Sequence, residues 1–358
     1  MVISPSPKVE MKLILKLSRK LTRRALYRVP LAVWSRLVSK NEFVYCYHLA
    51  SNETLPHVRH LYHYKTPQMF AEDLAWIGRI CDLVDLDGFL QHRAHPSRGG
   101  RPVALITVDD GLTETFTVIR PILLHYNAPA IIFVITDCID NRSMFYRNKA
   151  SLCVERVVHA DEDRRMVYLE SVNSRFGQFC CDVDSFVEFV LSIRADQAAK
   201  IETMCEILGV DVEEYLAERK PYLTREQIEQ LDREGFTIGA HSMNHFDFDR
   251  LSPAEIERQI IQSCTAVTEI TGRTPVHFAF PFDMHGLDRG LLAQITRANP
   301  MVGTMFGAAE VIREPPYIDR ILADSPRNAA PGKSNLPFRL REYYVNFVKF
   351  QLLGMSRG

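Results

Sequence analysis

The sequence predicts an α/β fold in which a parallel sheet is covered by helical crossovers. Short apolar β-branched runs recur along the chain, helix-start signals stand between them, and polar clusters sit where two of the runs end. The first run is Phe43, Val44, Tyr45, Cys46 and Tyr47. Residues 67–80 follow as a helix, with Met69, Phe70, Leu74, Ile77 and Ile80 on a helical repeat. Residues 103–108 read as a buried strand closed by the turn residue Gly111, and 115–125 as the next helix. Residues 130–135 and 236–240 are further strands. Thr224 to Gln227 and Ser252 to Glu255 have the form of capping boxes, the second with Pro253 at the first helical position, so helices are expected to begin there. Strands at 276–280 and 302–305, with a helix near 287–298 between them, continue the alternation.

The alternation breaks at about 137–222. That stretch is charged and mostly helical, which reads as an insertion between sheet elements, either a lid or simple packing. It begins with Asp140 to Arg147, a run ending in Tyr146 and Arg147 that mixes aromatic and guanidinium groups suited to a sugar or a phosphate. Residues 325–337 look like a linker and 338–353 like a terminal helix rich in aromatics.

The polar clusters carry the chemistry. Asp109, Asp110 and Gly111 end the 103–108 strand, and His241 and His245 lie just past the 236–240 strand. Adjacent strand residues point to opposite faces, so two neighbouring aspartates converge on one point only where the strand has ended. The C-terminal ends of parallel strands are also where ligands collect in such folds. Asp and His together suit zinc and neighbouring divalent ions, and three protein ligands leave positions open for water and substrate.

Thr107 to Gly111, His241-Ser242-Met243-Asn244-His245, and Phe278-Ala279-Phe280-Pro281-Phe282 resemble, in order and spacing, the three motifs of the polysaccharide deacetylases of the NodB homology type. The likeness spans roughly 100–325 and weakens toward Tyr45. It belongs to a branch with an aromatic-Ala-aromatic-Pro-aromatic third motif. The resemblance implies an irregular, incomplete (β/α) barrel with a helical insertion and helical termini, and a boundary of 41–324 for the deacetylase domain. It also implies a divalent ion, zinc first and cobalt, nickel or manganese as alternatives, held by Asp110, His241 and His245. Asp109 would be the general base, the backbone N–H of Phe282 would help stabilise an oxyanion, and Pro281 would lie against substrate. The physics is consistent with those roles. A water on such an ion has its pKa lowered toward neutrality, and a nearby carboxylate can take its proton. Ser242 reads as an orienter of a histidine rather than a nucleophile, because no base and orienter flank it.

Some family features are missing. Ala279 stands where many members carry an arginine that steadies the base, so that brace is absent or comes from elsewhere. Asp283 replaces the usual glycine. The late strand, Tyr317-Ile318-Asp319-Arg320-Ile321, has no histidine to serve as general acid. His48, at the end of the first strand, and His285 are candidates for that acid, and water is a third.

The composition is that of an ordinary soluble globular protein: 358 residues, 46% hydrophobic, 24% charged, net charge −1. Eight cysteines without a C-x-x-C pair argue against a zinc ribbon and for free thiols in a reducing compartment. Residues 1–40 hold ten basic residues against Glu10, a formal +9 that leaves −10 on the rest. Their spacing makes a basic amphipathic helix, either an anchor to anionic membrane or a helix packed on the domain, and the lack of interleaved aromatics argues against nucleic acid. No apolar run is long enough for an export signal or a membrane span, so a cytoplasmic protein, at the inner membrane surface or away from it, is expected. The expected activity is removal of an N-acetyl group from a sugar in a glycan, glycolipid or glycosylated small molecule. Hydrolysis of a non-sugar amide, formamide or imide, or carbohydrate binding without catalysis, are the alternatives.

Overall fold

In a computed structural model, the described residues are 28, 30–31, 41–95, 100–282, 284, 286–307, 317–324 and 335–353, with side chains to 346 in the last stretch. The basic segment 1–40, the linker 325–337 and His285 therefore lie almost wholly outside them. The strands are β1 (Glu42–Tyr47), β2 (Asp82–Leu83), β3 (Val103–Val108), β4 (Ala130–Val134), β5 (Thr237–Ala240), β6 (Val276–Ala279), β7 (Val302–Phe306), β8 (Tyr317–Ile318) and β9 (Ile321–Leu322). Every pairing between them is parallel, in the order β8-β7-β6-β5-β4-β3-β1-β9, with β2 on the first two residues of β3. All six residues of β3 and all five of β4 are buried, which is why these strands read as unbroken apolar runs rather than alternating ones.

The two edge strands, β8 and β9, are separated in sequence only by Asp319 and Arg320. Three residue steps reach about 10 Å at full extension. A sheet whose opposite edges are that close must curl, and the result is an irregular (β/α) barrel, as expected. Closure is incomplete: one extended segment spans the seam, pairing first with β7 through Phe306 and Ile318, then with β1 through Cys46 and Leu322.

Helices α1 (Pro67–Ile80), α2 (Leu86–Ala94) and α3 (Arg120–His125, entered through a single π-helical turn at Thr115–Ile119) cover the first strands. Helices α4 (Tyr146–Val158), α5 (Glu162–Phe176), α6 (Val183–Ser192), α7 (Ala199–Leu208) and α8 (Val212–Arg219) lie between β4 and β5. They share their own apolar cluster, including Val154, Val157, Val172, Phe186, Ile201 and Met204. Helices α9 (Arg225–Arg233), α10 (Pro253–Thr271) and α11 (Arg289–Ala298) complete the cover. Thr224 and Gln227 form the reciprocal capping box at α9. At α10 the Ser252 side chain accepts from Glu255 N–H, but the Glu255 carboxylate turns to Arg258 and Gln259 instead of reaching back. The last helix, α12 (Leu336–Leu353), packs Leu340, Tyr344 and Val345 into the main core, with Tyr344 edge-on to Phe43 at 6.0 Å. Of the aromatics of this helix, Tyr343 and Tyr344 are used in packing. No helix among the described residues is long and apolar enough to cross a membrane.

Register decides where the chemistry lies. Tyr47 stands opposite Val108, and Val134 opposite Ala240, so His48, Asp109 and His241 each come one residue after a strand has ended, on the same rim. Close approach between strands requires Gly239: a Cβ there would come 2.4 Å from the Phe133 ring and 2.9 Å from the His277 carbonyl. We expect Gly239→Ala to lower stability by about 1–3 kcal/mol through overpacking, read as a lower urea midpoint. An unchanged midpoint would contradict the packing described for β4 to β6.

Candidate active site

Sharp turns at the strand ends bring the motif residues together. Asp110, Ser242, His245 and Phe282 all adopt positive φ, at 71°, 64°, 59° and 62°. Such angles are unusual for residues with a Cβ and cluster at functional sites. Gly111 follows at φ 65°, with Val134 too close for a side chain. The Ser242 hydroxyl accepts the His245 backbone N–H at 2.9 Å, so this serine fixes the histidine turn.

Asp110, His241 and His245 are buried, and one donor atom from each lies within 4.8 Å of the others. Asp110 Oδ1 is 3.5 Å from His241 Nε2 and 3.4 Å from His245 Nε2. Ligands about 2.1 Å from a tetrahedral ion stand roughly 3.4 Å apart. Asp110 Oδ1 is buried without a hydrogen-bond partner, as an atom meant for an ion would be. His241 Nδ1 donates to the Ala279 carbonyl at 2.9 Å, which turns Nε2 toward the cluster and gives Ala279 a part through its backbone. Burial pushes the His241 imidazole down to about 4, so it is neutral and able to ligate. Burial alone would raise the Asp110 carboxyl, but the close approach of His245 and the charges of the nearby histidines hold it well below the usual carboxylate range. The donor set fits a divalent ion.

Asp109, the carboxylate expected to act as base, has its brace. Arg320, 1% exposed, grips Asp109 with two parallel bonds, Nη1 to Oδ1 at 2.7 Å and Nη2 to Oδ2 at 2.8 Å. Its Nε donates to the Gly307 carbonyl at 2.8 Å, and Nη1 also reaches the Thr107 hydroxyl at 3.2 Å. Burial works to raise the Asp109 carboxyl, the Arg320 charge works against it, and the net shift is downward. The Cys46 thiol, kept protonated by burial, lies 3.4 Å from Asp109 Oδ2.

On the other side of the same rim, Asp324 holds His48 by two atoms. Its Oδ2 accepts the His48 backbone N–H at 2.8 Å and meets ring Nδ1 at 2.5 Å. Burial lowers the His48 pKa, but the hydrogen bond and charge of Asp324 outweigh it and raise the imidazole to about 9. With Nδ1 engaged and the side chain 23% exposed, Nε2 is left for the cavity.

That cavity has a volume of about 660 Å³ and brings Asp109, Asp110, His241, His245 and His48 together with Tyr62, Phe145, Arg147, Phe280 and Phe282. The Tyr62 hydroxyl lies 3.4 Å from Asp110 Oδ2. Tyr146 does not line the cavity: it is 4% exposed, and its hydroxyl donates to Asp247 at 2.9 Å. Pro281 is buried and serves to set Phe282. Arg320, Asp324 and Tyr62 were not singled out from the sequence. A readable signal existed for Arg320 alone, since an arginine inside an apolar strand needs a carboxylate partner.

The polysaccharide deacetylase family model matches residues 190–293, which hold the second and third motifs. Over those residues the chain is similar to the polysaccharide deacetylases. Two solved structures share its fold. The Streptococcus pyogenes deacetylase PplD in complex with acetate is 15% identical with a TM-score of 0.50, covering 80% of this chain and 95% of that one. IcaB from Ammonifex degensii is 14% identical with a TM-score of 0.50, covering 85% and 97%. No curated protein sequence matches the chain.

Because the Arg320 fork fixes both oxygens of Asp109, Arg320→Lys should retain the fold and bound metal yet lose about 10–100-fold in turnover, as is usual for partners that orient an active-site group. Arg320→Met should in addition destabilise the protein by about 3–5 kcal/mol, because it leaves a buried carboxylate unpaired. Metal analysis, turnover and thermal melts check both variants. Wild-type turnover in the lysine variant would show that charge alone suffices.

Proposed function

We propose that this protein is a divalent-metal-dependent hydrolase that removes the N-acetyl group from an N-acetylated sugar, releasing acetate and a free amine. The observation that carries the reading is the convergence, in one cavity, of a three-donor cluster, a carboxylate clamped by arginine and a histidine clamped by aspartate. The family match supports the carbohydrate substrate class.

A divalent ion held by Asp110, His241 and His245 would acidify a water and polarise the acyl oxygen. Asp109 is ionised and held rigid, so it can take the proton of that water as it adds to the acetamide carbon. The backbone N–H of Phe282, in the turn after Pro281, is suited to donate to the oxygen that gains charge. His48 is protonated at neutral pH, and its Nε2 can hand a proton to the departing nitrogen. Amide cleavage needs that proton, because an amine anion is a poor leaving group. The phenyl rings of Phe145, Phe280 and Phe282 exclude water from the reacting atoms.

Asp109→Asn is expected to lower acetate release from N-acetylhexosamine derivatives by about 10²–10⁴-fold while bound metal persists. His241→Ala is expected to lose the metal. Undiminished acetate release from Asp109→Asn would overturn the base assignment, and stoichiometric metal in His241→Ala would overturn the ligand set. A panel of formamides and cyclic imides, tested beside the sugars, separates the sugar reading from the other C–N hydrolyses. The pH profile tests the acid. A group raised by its partner does its work below its own pKa, so turnover should fall as pH rises through about 9. Asp324→Asn should move that basic limb down toward the ordinary histidine value of about 6.5, and an unmoved limb would remove His48 from the mechanism.

A further inference from the structure

We infer that Arg147 forms an oxyanion-group subsite in the wall of the active cavity, so that the sugar processed here carries a phosphate or a carboxylate. This rests on the proposed sugar deacetylation and names its substrate class. Arg147 lies in the first turn of α4 and lines the cavity with Phe145 and Leu191. Its guanidinium is fixed before any ligand arrives. Nε donates to the Tyr146 hydroxyl at 3.1 Å, Nη1 donates to the Leu191 carbonyl at 3.3 Å, and the plane lies over the rings of Tyr146 at 5.4 Å and Phe282 at 5.2 Å. Tyr146 is in turn pinned by Asp247.

Two of the five N–H donors are used in those bonds, so three remain for a ligand. No described carboxylate pairs with Arg147, whereas in the same cavity Asp109 is matched by the buried Arg320 behind it and His48 by Asp324. A partly buried guanidinium against apolar walls is costly to leave without a counter-ion, and phosphate and carboxylate are the groups its fork fits. Its position suits one sugar. The guanidinium lies 5.2 Å from the Phe282 ring centroid, and that ring lies 4.9 Å from the ring of His245. The cation and the ligand cluster thus share one aromatic neighbour in the same cavity, within reach of a single substituted sugar. With an acetamide at the cluster, a charged substituent elsewhere on the sugar meets Arg147.

Sugars without an acetyl group cannot be turned over, so they report binding alone. Calorimetric titration of the full chain with glucose 1-phosphate, glucuronate and methyl glucoside, without added metal so that no anion can ligate an ion, tests the subsite. At least one of the two anions should bind about tenfold or more tighter than methyl glucoside, the scale of a charge-assisted hydrogen bond. Arg147→Met should erase that preference and Arg147→Lys should restore part of it. Preference for glucose 1-phosphate identifies a phosphate ester and preference for glucuronate a uronate. Equal binding of all three ligands, or a preference that survives Arg147→Met, overturns the proposal. Acetate release from neutral and anionic N-acetylglucosamine derivatives is measured separately. Release that ignores the anion sinks the subsite alone, and Arg147-dependent anion binding without release from any sugar sinks the deacetylase reading alone.

Discussion

The bidentate pairing of Arg320 with Asp109 is the contact on which both the barrel and the chemistry depend. A buried arginine is tolerable only when its charge is paired and its donors are placed, and here Asp109, Thr107 and Gly307 share them. Gly307 follows β7 and Thr107 lies on β3, so the guanidinium ties together two walls of the curled sheet. The same bonds hold the proposed general base. Arg320 lies between β8 and β9, in the segment that passes from one edge of the sheet to the other. Closing the seam therefore delivers the brace, and a chain that failed to close would lack an oriented Asp109.

The turns that complete the site are strained, and their strain is borne by the frame around them. Asp110, Ser242, His245 and Phe282 hold left-handed angles that cost of order 1–3 kcal/mol each. What over-determines them is local and identifiable. Gly111 lets the first turn pass under Val134, Ser242 staples the second through the His245 N–H, and the His241 ring is anchored on the Ala279 carbonyl. The third motif thus takes part through its backbone at Ala279 and Phe282, which explains how an alanine can occupy a position where relatives of similar pattern place a charged side chain.

Much of this could be read along the chain because it is local. The buried runs at β3 and β4, the cap at Thr224 and the order of the aspartate and histidine motifs are written in neighbouring residues. The partners of those motifs are not. Arg320 lies 211 positions from Asp109, and Asp324 lies 276 from His48. Neither distance has a periodicity to betray it, and only the curl of the sheet makes them neighbours. The pair Tyr146 and Arg147 shows the same limit at close range. Both look suited to a sugar, yet helical geometry sends adjacent residues in different directions, so the tyrosine became the buried post and the arginine the group that reaches the cavity.

The proposed base and the proposed acid stand at the ends of adjacent strands, one residue past Val108 and one past Tyr47, and their environments drive them in opposite directions. Arg320 stabilises the ionised form of Asp109, and Asp324 stabilises the protonated form of His48. Two titratable groups this close in an apolar cavity would ordinarily share a proton and blur their roles. Each instead has a private counter-charge delivered by the segment from Arg320 to Asp324, which lies along the β1 edge. That short stretch sets one group to accept a proton and the other to give one over the same pH range. The proposed deacetylation needs both at once, because the carbon must be attacked and the nitrogen must leave protonated. In this chain, the separation of acid from base is a consequence of how the barrel closes.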